Sequence, residues 1–234
     1  MRGRVLGVLL SFIPLSMAGA ELTAIQASEA IALIHHARQN RTEGYFYRAE
    51  AQYRRALAIL EETSGGGSPD LTPALNGLAE LYFEARRYTE AEALARRSAA
   101  VVEAGLGGEH PLLATALQNL AAIYHVQGEY AKAEPLYHRA LAIREKALGP
   151  SHPFVASTLT DLAEMESAQG NRDRAVEHYA RAVQILQDAF GMDDPRVAET
   201  LAGYASVLRK SYHKREAASA EARSRAILAR AAFR

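Results

Sequence analysis

The chain repeats one apolar and aromatic pattern every 42 residues, and this spacing constrains the fold more than any other feature. The first clear copy begins at Leu75 and reads Leu-Asn-Gly-Leu-Ala-Glu-Leu-Tyr. Related copies begin at Leu117, Leu159 and Leu201, with no insertion or deletion between them. A fixed period of about 20 to 50 residues is typical of a solenoid, in which each unit buries its apolar face against its neighbours.

Each unit is predicted to be a pair of helices. In four units a glycine-containing loop precedes a proline that opens the first helix, at Pro69, Pro111, Pro153 and Pro195. The second helices are expected to begin at Tyr88, Tyr130, Arg172 and Lys214. The turn between the two helices is short, so they are predicted to be antiparallel.

Small residues recur where helices are expected to meet. The first helices carry Ala79, Ala121, Ala163 and Ala205 at one position, and the second helices carry Ala49, Ala91, Ala133, Ala175 and Ala217 at another. Side chains of this size allow helix axes to approach to about 8 Å, the short end of the usual range.

This pattern resembles the tetratricopeptide repeat, in the 42-residue form found in kinesin light chain. Residues 110–149 carry the resemblance most closely, and it extends from about Ile25 to the C-terminus. It implies an all-α fold, a right-handed α-solenoid of about five antiparallel helix pairs. The units are expected at about 26–67, 68–109, 110–151, 152–193 and 194–234.

The outer units depart from the repeat. In the first unit, His36 and Asn40 occupy positions that hold leucine and tyrosine elsewhere, so its first helix is expected to be a polar cap. In the fourth unit Glu166 occupies the tyrosine position, which makes tight packing there questionable. The last helix is rich in arginine, and we expect its outer face to be solvated or to contact a partner. These arginines are Arg215, Arg223, Arg225 and Arg230.

The first 20 residues have the layout of a secretory signal peptide. Two arginines precede a short apolar stretch, Val5 to Leu15, and an Ala-x-Ala sequence ends at Ala20. The alternative is an uncleaved anchor, but the apolar stretch is shorter than the roughly 20 residues of a membrane span. We therefore expect residues 1–20 to be removed and the solenoid to occupy residues 21–234. The protein is expected to be periplasmic or secreted, from a bacterium, with no membrane span after cleavage.

The composition and the motifs narrow the function classes. The chain has no cysteine, which excludes disulfides, thiolate metal sites and a cysteine nucleophile. Without residues 1–20 the net charge is near −2, so nucleic acid is not expected as a partner. No phosphate-binding loop, nucleophile elbow or zinc-protease motif occurs. We therefore expect no catalytic residue, no cofactor and no enzymatic activity.

Eight histidines raise the question of a metal site, but their spacing does not favour one. His110 and His152 are equivalent residues of adjacent repeats, so they are expected about 10 Å apart. Two ligands of one zinc ion each lie about 2 Å from it, so this pair is too far apart to share a metal. We expect them to serve at the helix starts before proline, and we expect no metal site.

The resemblance places the binding surface on the concave side of the stack, which the first helices line. Carried over by register, the candidate groove residues are Asn76, Glu80, Phe83, Gln118, Asn119, His125, Thr160, Glu164 and Arg209. Amide side chains among them can donate to and accept from an extended peptide backbone. The predicted function is a non-catalytic scaffold that binds a partner protein or peptide in this groove. Two alternatives stay open: a self-assembling structural protein of the cell envelope, with the last helix as the homo-oligomer contact, and a regulatory subunit of an enzyme.

Overall fold

The structure, a computed structural model, describes residues 15–232, with side chains described from Thr23 onward. Within this part the backbone is helical throughout, apart from turns and one short 3-10 helix at Pro69–Leu71. The α-helices are α1 (Leu15–Thr42), α2 (Phe46–Ser64), α3 (Thr72–Glu84), α4 (Tyr88–Leu106), α5 (Pro111–Val126), α6 (Tyr130–Leu148), α7 (Pro153–Gln169), α8 (Arg172–Phe190), α9 (Pro195–Lys210) and α10 (Lys214–Ala231). The four predicted starts of second helices are confirmed to the residue.

The predicted signal peptide, residues 1–20, lies mostly outside the described residues. Its predicted cleavage position, after Ala20, falls within α1, whose backbone is helical from Leu15. Further along α1, Ile25 is 65% exposed and Ile31 is 67% exposed. The expectation that this helix is a polar cap is therefore wrong in part, because its exposed surface carries large apolar side chains as well as His36.

Three first helices begin as the sequence predicts. The His110 imidazole Nδ1 accepts a hydrogen bond from the backbone N–H of Leu112 at 3.2 Å. His152 accepts in the same way from Phe154 at 3.1 Å. A proline follows each histidine at the first helical position, where no N–H partner is required. These two histidines are therefore helix caps, as expected.

The second unit starts differently. Pro69 opens a 3-10 helix, and α3 begins only at Thr72, so the prediction that the first helix starts at Pro69 is wrong. The reason is a second proline, Pro73, which has no N–H to donate to the Pro69 carbonyl in an α-helical bond. The backbone N–H of Thr72 donates to that carbonyl instead.

The five helix pairs stack into a curved solenoid. Each first helix contacts the next one, in the pairs α1–α3, α3–α5, α5–α7 and α7–α9. Among the described residues the second helices, α2 to α10, make no such contacts with one another. The stack therefore bends toward the first helices, which line its concave side. This is the predicted all-α solenoid of five antiparallel helix pairs.

The packing between helices depends on matched large and small residues. The alanines predicted at the contacts are all buried. A Cβ atom added to Gly77 would lie 2.4 Å from the ring of Tyr53, and one added to Gly203 would lie 2.5 Å from the Tyr179 hydroxyl. Glycine thus makes room for a tyrosine of the neighbouring second helix. One repeat further on from Tyr53, Ala95 replaces the tyrosine, and the position equivalent to Gly77 carries Asn119.

A second tyrosine of the repeat, near the end of the first helix, forms a polar triad with a glutamate and an arginine of the preceding second helix. The Tyr82 hydroxyl donates to Glu50 at 2.7 Å and accepts from Arg54 at 2.7 Å. Tyr124 makes the same two hydrogen bonds, with Glu92 and Arg96.

The fourth unit replaces this triad with a buried acid. Glu166 is 2% exposed, its Oε2 accepts no hydrogen bond from the described residues, and the Nε2 of His178 lies 3.6 Å from that oxygen. Burial raises the pKa of Glu166 to about 7. Glu166 is therefore buried, and this burial disfavours its ionised form.

Candidate functional site

Three cavities lie along the first helices, and the third of them is also lined by the end of the second helix α8. The N-terminal cavity has a volume of about 270 Å³ and is lined by Arg41, Ala79, Glu80, Phe83, Glu84, Asn119, Ala122 and Ile123. The Asn76 cavity has a volume of about 210 Å³ and is lined by Arg38, Thr72, Pro73, Asn76, Gly77, Glu80, Leu112 and Thr115. The C-terminal cavity has a volume of about 760 Å³ and is lined by His152, Pro153, Phe154, Ser157, Thr160, Asp161, Leu186, Phe190, Arg196, Glu199 and Thr200.

Two asparagines in the N-terminal half of the groove have unused hydrogen-bonding groups. Asn76 is 8% exposed and lines the Asn76 cavity, and its Oδ1 has no hydrogen-bond partner among the described residues. Asn119 lines the N-terminal cavity, and its Nδ2 is likewise without a partner there. Buried polar atoms are costly unless they are hydrogen-bonded. Both atoms are themselves buried, each with less than 1 Å² of accessible area, so a ligand in the groove reaches them only if the amide side chains turn toward it.

The acidic residues beside these cavities are already paired. Arg41 of α1 binds Glu80 at 2.9 Å and Glu84 at 2.7 Å. Phe83 packs against the ring of Tyr88 at the end of α3, with 5.8 Å between ring centroids. Arg41 thus joins α1 to α3 in the N-terminal half of the groove, and Glu80 and Glu84 both have an ion-pair partner.

Gln118 is the centre of a hydrogen-bond network between α5 and α7. Its Nε2 donates to the Asp161 carboxylate and, at 3.1 Å, to the Ser157 hydroxyl. Its Oε1 accepts from Arg144, a residue of α6 that is 4% exposed. The same guanidinium donates to Thr158 at 2.6 Å. Gln118 therefore uses its amide within the protein, unlike Asn76 and Asn119.

Burial shifts the pKa values of both charged members of this network. It lowers the pKa of Arg144 to about 10. It raises the pKa of Asp161 to about 7, although the hydrogen bond from Gln118 acts in the opposite direction. Neither residue was among the predicted groove residues. The sequence does indicate this network, because Arg144 occupies a position that holds Leu60, Val102 or Leu186 in other units.

The four remaining residues that were predicted to line the groove have different surroundings. Thr160 lines the C-terminal cavity, and Glu164 is exposed one turn further along α7. His125 packs on the ring of Tyr130, with 5.9 Å between centroids, and burial lowers its pKa. Arg209 binds Glu221 of α10 at 2.8 Å. Glu164, His125 and Arg209, like Gln118, line none of the three cavities.

The structure adds two findings on other site types. In the part of the chain that the structure describes, no group of three or more histidine and acidic side chains has a geometry that would hold a metal ion. None of the helices within residues 15–232 combines the length and the apolar character needed to cross a membrane.

A curved stack of antiparallel helix pairs, with the first helices along an inner groove, defines a helical repeat protein of the α-solenoid class. The sequence profile of the tetratricopeptide repeat matches residues 28–104, 70–134, 112–188 and 160–230. The chain therefore belongs to the tetratricopeptide repeat family, as the sequence predicted. Proteins of this family are in general scaffolds that bind proteins or peptides.

Solved structures of kinesin light chain-like proteins resemble this one over nearly their whole length. BtubC (BKLC) from P. vanneervenii is 25% identical, with a TM-score of 0.72 over 94% of this chain and 92% of that chain. Repeats of a kinesin light chain-like protein from Podosopora anserina are 24% identical, with a TM-score of 0.71 over 89% of this chain and 98% of that chain. PilF of Pseudomonas aeruginosa is 17% identical, with a TM-score of 0.60 over 83% of this chain and 74% of that chain. A comparison with curated proteins found no match.

Proposed function

We propose that this protein is an exported, non-catalytic scaffold that captures an extended segment of a partner protein in its concave groove. The observation that carries the proposal is the concave groove along the first helices, whose adjacent cavities are lined by the amide side chains of Asn76 and Asn119. An extended peptide backbone offers N–H and C=O groups that complement them. Assembly of an envelope complex or support of secretion are roles that such capture serves.

The proposal is tested by photo-cross-linking in the native host. A photoreactive amino acid replaces Ala122, which lines the N-terminal cavity, and in a matched control it replaces Gln184, an exposed residue of the second helix α8. The groove position is expected to yield a defined cross-linked partner, and the control position is not. Adding Asn76→Ala and Asn119→Ala together should reduce this cross-link at least fivefold, while circular dichroism stays unchanged. Equal cross-linking from both positions, or no effect of the double substitution, would contradict groove capture.

Self-assembly through α10 is the alternative proposal, and the structure supplies one observation against it. Three of the four arginines of this helix make hydrogen bonds within the chain: Arg230 binds Asp193 at 2.9 Å, Arg223 donates to the Met192 carbonyl at 3.3 Å, and Arg225 donates to the Glu221 carbonyl at 3.5 Å. A concentration series in light scattering separates the two proposals, since a monomer at high concentration argues against self-assembly.

A further inference from the structure

The two halves of the groove differ in the state of their carboxylates. In the N-terminal half, Arg41 binds Glu80 and Glu84. In the C-terminal half, Glu164 and Glu199 are exposed and take part in no ion pair within residues 23–232. Carboxylates without an ion-pair partner in the described part of the chain therefore lie on α7 and α9, and partial burial raises the pKa of one of them, Glu164.

The positively charged side chains near Glu164 and Glu199 either have hydrogen-bond partners elsewhere in the protein or lie far from these carboxylates. Arg196 lines the C-terminal cavity, but its guanidinium binds both oxygens of Asp194, each at 2.8 Å. Arg144 is buried and hydrogen-bonded to neutral side chains. Lys210 lies at the other end of α9, 11 residues or about 16 Å along the axis from Glu199. Neither arginine makes an ion pair with Glu199 or Glu164, so these two carboxylates beside the C-terminal cavity are left for a ligand.

The same cavity presents aromatic rings that are held in place before any ligand binds. Phe154 is 58% exposed, yet its ring is flanked by the His152 ring, with 5.2 Å between centroids, and by the Arg144 guanidinium, 5.4 Å from its centroid. Phe190 is covered by the Arg196 guanidinium at 3.3 Å from the ring centroid. Exposed aromatic surface in a concave site is typical of ligand binding, and fixed rings lower the entropic cost of binding.

We propose that the C-terminal cavity accepts a large apolar or aromatic side chain of an extended peptide, and that lysine or arginine residues next to this side chain pair with Glu199 and Glu164. The cavity, about 760 Å³, is large enough for such a side chain together with part of the adjoining backbone. Charge complementarity of this kind contributes to the association rate and to partner choice, and it weakens with salt. The inference rests on the proposed groove capture and specifies the chemistry of the partner.

A phage-displayed library of random dodecapeptides, selected on the purified protein, tests the inference. The expected result is enrichment of peptides in which lysine or arginine lies within two residues of leucine, isoleucine, phenylalanine or tryptophan. The most enriched peptide is then synthesised with a fluorescent label, and its affinity is measured by anisotropy at low and high salt. Affinity should fall at least tenfold with Glu199→Lys and with Phe190→Ala. The matched control Glu62→Lys, an exposed carboxylate on α2 with the same charge change, should alter it less than twofold.

Circular dichroism of each variant separates loss of binding from loss of folding. Enrichment of acidic or uncharged peptides, no enrichment, or an unchanged affinity of the Glu199→Lys protein would each overturn the inference. The failure of the inference is distinguishable from failure of groove capture. If the affinity of the peptide is unchanged by Glu199→Lys but falls with Asn76→Ala and Asn119→Ala together, groove capture still holds and only the inference fails. If neither Glu199→Lys nor the double asparagine substitution changes the affinity of the peptide, the inference and groove capture are both contradicted.

Discussion

Replacing Glu166 with glutamine should stabilise the protein at neutral and alkaline pH and do little at acid pH. Burial raises the pKa of Glu166 from its ordinary value of 4.5 to about 7 in the folded protein. The folded state therefore binds the proton more tightly than the unfolded state does. Wild-type stability is greatest below about pH 4.5, falls as the pH rises, and levels off above about pH 7. Glutamine has no proton to lose, so the variant lacks this decline.

The size of the effect follows from the two pKa values. A difference of about 2.5 units corresponds to about 3 kcal/mol of unfolding free energy at pH 8, where both states of wild type are ionised. At pH 5 the same relation gives a difference of about 1 kcal/mol. His178, whose pKa is lowered by burial and whose Nε2 lies 3.6 Å from Glu166, is present in both proteins.

Urea unfolding followed by far-ultraviolet circular dichroism at several pH values between about 5 and 8 measures this difference. The stability advantage of the Glu166→Gln protein should grow with pH. Glu62→Gln is the matched control, because Glu62 is an exposed carboxylate on α2, in another repeat, and its substitution should have little effect. A difference that does not change with pH, or a glutamine variant that is less stable than wild type at pH 8, would refute the reasoning.

Three further predictions test the packing and the N-terminus. Ala133 is fully buried between helices, so Ala133→Leu should lower the unfolding free energy by about 1–3 kcal/mol, whereas Ala131→Leu on the exposed face should not. Gly77→Ala should lower the unfolding free energy by a similar amount because its Cβ would meet the Tyr53 ring. The loss of unfolding free energy should be smaller in a Tyr53→Ala background, and equal losses in the two backgrounds would contradict the matched packing. The protein isolated from its host should begin at Glu21, as measured by N-terminal sequencing, and an intact residue 1 would contradict export by cleavage.

The repeat period made the fold predictable because each helix pair obeys the same local rules. The starts of the second helices, the histidine caps and the buried alanines all follow from residues within one unit and its neighbour. The exception at Pro69 was also visible in the sequence, since Pro73 lies four residues later and has no N–H for an α-helical bond. The second proline therefore sets the start of the α-helix at Thr72.

The groove was predictable only in outline. Register placed Asn76 and Asn119 beside the cavities, but it could not show which amides are already hydrogen-bonded. Gln118 is occupied because Arg144 reaches it from α6, a contact that depends on the path of a long side chain rather than on helical register. The same limit applies to Arg209, whose partner Glu221 lies on the neighbouring second helix.

The central claim is that a partner segment lies along the first helices. Hydrogen–deuterium exchange of the whole protein, with and without the display-selected peptide, tests it most directly. We predict slower exchange on the groove helices α3, α5, α7 and α9 when the peptide is bound, and no change on α2, α4, α6 or the outer face of α10. Protection confined to the second helices or to α10 would contradict the account.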